Sequence, residues 1–122
     1  MGTSNDYYRL ALAMLIRIVR LPLDPSRVAD FKAHFAEVAP QIRQQPGCTH
    51  LELWTNASYP SVMITHSHWT GDAALQTYRQ SDLFKAAWAT VKPMFAARPQ
   101  AFSASVSHPA AAIEAEATNQ RT

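Results

Sequence analysis

The stretch Thr65-His66-Ser67-His68-Trp69 sets two imidazoles two positions apart with an indole directly after them, residue types that bind metals, move protons or stack on rings. In an extended strand neighbouring side chains point to opposite faces, so His66 and His68 share one face while Thr65, Ser67 and Trp69 share the other. Either set can be the one that faces a helix layer. A metal site would need His50 or Cys48 brought opposite the pair by the strand register, and zinc asks for a third ligand with oriented partners behind it. Two imidazoles that hydrogen-bond within a polar patch are the commoner outcome, so no metal is assigned. His34 and His108 read as surface residues.

Trp54, Tyr59, Trp69, Tyr78, Phe84 and Trp88 gather rings into one half of a small chain, which suits a planar ligand, although core packing accounts for many rings of this kind. Arg17 lies between Ile16 and Ile18. A guanidinium held there must find an anion, either Glu52 or an acidic group of a ligand, and the ion pair is the simpler solution.

These residues need a scaffold. A chain of 122 residues supports one hydrophobic core. Eleven Lys and Arg oppose nine Asp and Glu along the whole length, for a net charge of +2, which leaves no electrostatic footprint for nucleic acid. Cys48 is the only cysteine, so no internal disulfide forms and a cytoplasmic location fits. The apolar run from Leu10 to Ile16 falls well short of the roughly 20 residues that span a membrane. Residues 1–13 read as an extension, 14–107 as the domain, and 108–122, without an aromatic anchor, as a flexible tail.

Ile, Leu and Val with interspersed Arg predict a strand over Met14–Leu23. Asp24 and Pro25 then cap and open a helix, whose apolar stripe is Val28, Phe31, Phe35, Val38 and Ile42. Pro46 and Gly47 end it. Strands follow at Thr49–Trp54 and Ser61–Trp69, joined by a loop too long to set their register. Thr70 is placed to cap a second helix, and Ser81 to restart it after a break, with Leu83, Phe84, Ala87, Trp88 and Val91 as its second stripe. Pro93 ends or kinks this helix, and Ala101–Ser107 reads as a fourth strand. The order βαββαβ is α+β and ferredoxin-like: a four-stranded antiparallel sheet with its helices on one face. Apolar residues remain for the bare face, and a homodimer packed sheet against sheet would cover them.

The segment Gln44–Trp54 (QQPGCTHLELW), the strand ending Ser67-His68-Trp69 and the segment Gly71–Phe84 (GDAALQTYRQSDLF) together resemble the antibiotic biosynthesis monooxygenase family. The resemblance runs from Met14 to about Ser107 and implies a ferredoxin-like protomer that pairs into a dimeric α/β barrel. It implies a cavity between sheet and helices, outside that barrel, with Trp69, Thr65 and Ser67 turned toward it and the two histidines toward the barrel. It further implies oxygenation of quinols or polyphenols by O2 with no flavin, metal or other cofactor. Only Gly2, Gly47 and Gly71 are glycines, too scattered for a phosphate-cradling loop.

Two departures narrow the reading. Quinol oxygenases of the family carry an Asn four residues before the strand-three Trp, where this chain has Thr65, whose hydroxyl lacks the separate donor and acceptor arms of an amide. Haem-opening relatives need an Asn and a His where Val19 and Trp88 stand, so haem cleavage is excluded. The expected function is a monooxygenase-like reaction on a small aromatic. Thr65, Trp69 and His66 are the candidate catalytic residues; Arg17, Ser67, Tyr78, Phe84 and Trp88 are the candidate binding residues, with Trp69 and Tyr78 sandwiching the ring. The alternative is a dimer that holds a small aromatic without turning it over.

Overall fold

Alternating Ile, Arg, Val and Leu extend strand β1 over Leu15–Pro22, the first element of the computed structural model, which describes residues 14–108. The expected extension 1–13 and all of the expected tail beyond His108 lie outside the described residues. Asp24 turns the chain. Its Oδ1 accepts from the Ser26 amide at 2.9 Å, and Pro25 opens a 3₁₀ turn, Pro25–Arg27, that feeds helix α1, Val28–Arg43. Pro40 sits inside α1 and has no amide for the carbonyl of Ala36, but both residues are exposed, water can take that carbonyl, and the helix continues.

Gly47, at φ +84°, makes the turn from α1 into strand β2, Cys48–Thr55. Its carbonyl accepts from the Thr70 amide at 2.8 Å, which ties this turn to the end of strand β3, Val62–Trp69. Helix α2, Asp72–Arg79, follows, then helix α3, Asp82–Val91, a 3₁₀ turn over Lys92–Met94, and strand β4, Gln100–Ser105. Ser81 makes the expected break between α2 and α3: its Oγ accepts from the Phe84 amide at 3.1 Å and donates to the Tyr78 carbonyl at 2.6 Å. The expectation for Thr70 is corrected. The N-cap of α2 is Gly71 with no side-chain bond, because Thr70 stands one residue too early, with its amide already held by Gly47.

The strands form one antiparallel sheet in the order β2-β3-β1-β4. The architecture is the ferredoxin-like βαββαβ arrangement with its second helix split in two. A β-bulge between Cys48 and His50 sets the β2–β3 register, so that His50 faces His68 and Glu52 faces His66. The helices cover the face that carries Leu15, Arg17, Val19 and Leu21 of β1. One core cluster there joins Leu21, Leu23, Phe31, Met63, Val91 and Met94, and a second joins Cys48, Trp69 and Leu75. On the other face Ile16, Ile18 and Ile64 are half-buried while Trp54 and Phe102 are exposed. Among the described residues no helix is long and apolar enough to cross a membrane.

A Cβ on Gly47 would lie 2.5 Å from the Ala74 Cβ and 2.8 Å from the Thr70 Oγ1, on a backbone that L side chains rarely adopt. Gly47→Ala is therefore expected to cost about 2 kcal/mol or more of stability, read as a lower urea midpoint with an unchanged slope.

Candidate active site

Between sheet and helices lies a cavity of about 460 Å³, within the range of small-molecule pockets. Strand β3 supplies Thr65, Ser67 and Trp69 to its lining and β1 supplies Arg17, while α2 and α3 contribute Tyr78, Phe84 and Trp88. The structure thus brings seven of the eight sequence-selected residues to one cavity. His66 is the exception. It points to the opposite sheet face, as the two-residue period of β3 demands once Trp69 is buried beneath the helices, and it cannot reach a cavity ligand. Of the other selected rings, Tyr59 is exposed and Trp54 lies on the open face beside His66.

The rings of the wall form a continuous series. Trp69 stacks on Tyr78 with centroids 5.0 Å apart, Tyr78 meets Phe84 edge-on at 5.3 Å, and Phe84 stacks with Trp88 at 6.2 Å. Stacked directly on each other, Trp69 and Tyr78 leave no gap for a third ring, so the expected sandwich is replaced by a single aromatic wall. Trp69 is 1% exposed, and its Nε1–H donates to Ser67 Oγ at 3.0 Å, which fixes the indole and leaves the Ser67 proton to donate elsewhere. Burial, with the Cys48 thiol nearby as a smaller contributor, pushes the Tyr78 phenol up to about 12, so it remains a neutral donor at physiological pH. Burial likewise raises the Cys48 thiol.

Charge on the lining is one-sided. Arg17, Arg79 and Arg98 are among the described lining residues and no carboxylate is. The sequence expectation that Arg17 pairs with Glu52 is corrected: one register step separates the faces, and Glu52 lies on the open one, bound to His50 and His66. Arg17 instead donates to Ser103 Oγ at 3.1 Å. Partial burial, and then the like charge of Arg79, pull its pKa below the ordinary value, with Asp72 opposing. It still carries its charge at neutral pH.

Sequence reasoning missed His34. It lines the cavity rather than the surface, and its Nε2 is the buried side-chain polar atom that has no hydrogen-bond partner among the described residues. The signal was present in the spacing, since His34 falls three residues after Phe31 and four before Val38, inside the apolar stripe of α1.

The open face holds a second constellation. Glu52 Oε1 accepts from His50 Nε2 at 3.0 Å, His66 Nδ1 at 3.1 Å and Trp54 Nε1 at 3.2 Å, and these bonds, led by those from His50 and His66, lower its pKa to about 2. His66 Nε2 and His68 Nε2 lie 2.9 Å apart and share one proton in a hydrogen bond. Burial, and then the neighbouring His66 and His50, lower the pKa of His68.

The sequence model of the family described as antibiotic biosynthesis monooxygenase matches residues 14–90. Among solved structures, a conserved protein from Methanosarcina mazei Go1 superposes with a TM-score of 0.77 at 13% identity, covering 80% of this chain and 97% of that one. A candidate antibiotic biosynthesis monooxygenase from Caulobacter crescentus CB15 gives 0.74 at 22% identity, over 85% of this chain and 99% of that one. A candidate of the same description from Bordetella bronchiseptica gives 0.72 at 25% identity, over 79% and 99%. No curated protein sequence matches the chain at a significant level.

The Tyr78 phenol has a raised pKa in the fold, so the stability it contributes is complete below its ordinary value of 10.0 and is lost as pH rises through about 12. Urea midpoints followed from pH 9 upward should fall over that interval, and Tyr78→Phe should remove this part of the decline.

Proposed function

Because the chain belongs to the antibiotic biosynthesis monooxygenase family, we propose that it binds a small aromatic, a quinol or polyphenol, in the cavity between sheet and helices and adds oxygen to it. The observation that carries this reading is the make-up of the lining among the described residues: a wall of rings, three guanidinia with no carboxylate, and a buried imidazole nitrogen lacking a partner. A planar ring packs against Tyr78 and Phe84. Arg17 and its fellow cations favour the phenolate over the phenol, and His34 accepts the phenolic proton. The hydroxyls of Thr65 and Ser67 hold the substrate oxygen, and Trp88 closes the far end of the wall.

The phenolate then passes one electron to O2, and the ring radical and superoxide join at a ring carbon that bears hydrogen. That carbon loses its proton, the O–O bond breaks, and water departs with the second oxygen atom. One hydroxyarene and one O2 thus give one quinone and one water, with all four electrons drawn from the substrate. Thr65 in place of an amide offers one hydroxyl for orientation, which shifts more of the task to Arg17 and His34.

Dihydroxynaphthalenes are suitable probes. Oxygen uptake with quinone formation is expected, and His34→Gln should lower kcat about 100-fold while quenching of tryptophan fluorescence by the same compounds persists. Quenching with no uptake in the wild-type protein would replace this reading with the alternative, a dimer that binds a small aromatic without turnover.

The reading includes a homodimer whose sheets pack on each other through the open faces, supported by the exposed Trp54 and Phe102 and the half-buried Ile16, Ile18 and Ile64. Light scattering should return twice the chain mass of 13.6 kDa. A particle of single mass at micromolar concentration would refute the pairing.

A further inference from the structure

The bulge at the start of β2 does more than adjust a register. It aligns His50 with His68 and Glu52 with His66 across the β2–β3 pair, so four chemically active side chains meet on one sheet face. Donor atoms of His50, Glu52 and His66 lie within 4.8 Å of one another. His50 Nε2 and His66 Nδ1 each stand about one hydrogen bond from the same carboxylate oxygen, at 3.0 and 3.1 Å. A tetrahedral ion with bonds of about 2.0–2.1 Å holds its neighbouring donors about 3.3 Å apart. The two imidazole–carboxylate distances would open by a few tenths of an ångström to admit one, and the two imidazole nitrogens, within 4.8 Å of each other, would draw in by up to about 1.5 Å, a shift within reach of side-chain rotation.

We propose that this cluster is a binding site for a divalent first-row transition metal, with His50 Nε2, the Glu52 carboxylate and His66 Nδ1 as its ligands. With Nδ1 on the metal, His66 carries its proton on Nε2, 2.9 Å from His68 Nε2, which accepts it. A ligating imidazole whose other nitrogen is held in this way is the usual arrangement at metal sites. Trp54 holds the carboxylate through its Nε1 and packs its ring 4.5 Å from that of His66, so the ligands are already oriented. Side chains of His50 and Glu52 are 39% and 48% exposed in the single chain, and in the proposed sheet-to-sheet dimer the cluster lies at the seam between the two copies. Two imidazoles and one carboxylate suit Zn2+, Fe2+, Co2+ or Ni2+ and discriminate against Mg2+ and Ca2+, which favour all-oxygen shells. Cys48, a ligand considered on sequence grounds, is buried against Trp69 and Leu75 and takes no part.

The test uses the full chain after chelator treatment, titrated at pH 7.5 with Zn2+ by calorimetry and with Co2+ by visible absorption. One ion per chain is expected, with micromolar or tighter affinity and the d–d bands of a four- or five-coordinate Co2+. Glu52→Gln and His66→Gln, each verified as folded by circular dichroism, should weaken Zn2+ at least tenfold, and His108→Gln, at an exposed histidine, should not. Clearly substoichiometric binding overturns the proposal, as does binding that both ligand variants leave within twofold of wild type, or that His108→Gln weakens equally. None of these readouts involves oxygen uptake, so they stand apart from the proposed reaction.

Discussion

Two-residue alternation along β3 governs this molecule. Paired to β1 on one side and β2 on the other, the strand cannot slip without breaking two ladders, so the face each side chain occupies is settled by the burial of Trp69. Thr65 and Ser67 follow the indole into the helix layer, and His66 and His68 are obliged to leave it. Five consecutive residues therefore serve two environments of opposite character, one ring-walled and cationic, the other polar and gathered around a carboxylate.

The same constraint decides the electrostatics. Had β1 and β2 shared a phase in which Arg17 and Glu52 lay on one face, they would have neutralised each other. Among the described residues, their separation leaves Arg17 with the Ser103 hydroxyl, and Glu52 with two imidazoles and an indole N–H. Among the described residues, a guanidinium without a carboxylate beside a wall of rings is the feature on which the proposed binding of an anion rests, and it arises from register rather than from any local motif.

Much of the architecture could be read from the chain because its signals are local. Asp24-Pro25, Pro46-Gly47 and Ser81 each act over three or four residues, and the structure uses all three where the spacing predicts. The cavity residues of β3 were legible from the alternation together with the position of one tryptophan. What escaped was non-local or masked by type. The bulge between Cys48 and His50 has no signature in composition, so the partner of Glu52 could not be chosen from sequence. His34 was passed over because a polar residue within an apolar stripe reads as solvent-facing, although its spacing puts it with Phe31 and Val38. Thr70 missed its role by a single position, within the ordinary uncertainty of helix boundaries.

The break at Ser81 has a consequence for how such proteins diversify. Because α2 ends before Ser81 and α3 starts from the Ser81 cap, the ring stacked on Trp69 and the rings deeper in the wall belong to separate helices. Exchanges at Phe84 can reshape the cavity wall while the stack of Tyr78 on Trp69 stays in place, whereas Trp88, packed on the main core cluster, ties its end of the wall to the stability of the scaffold.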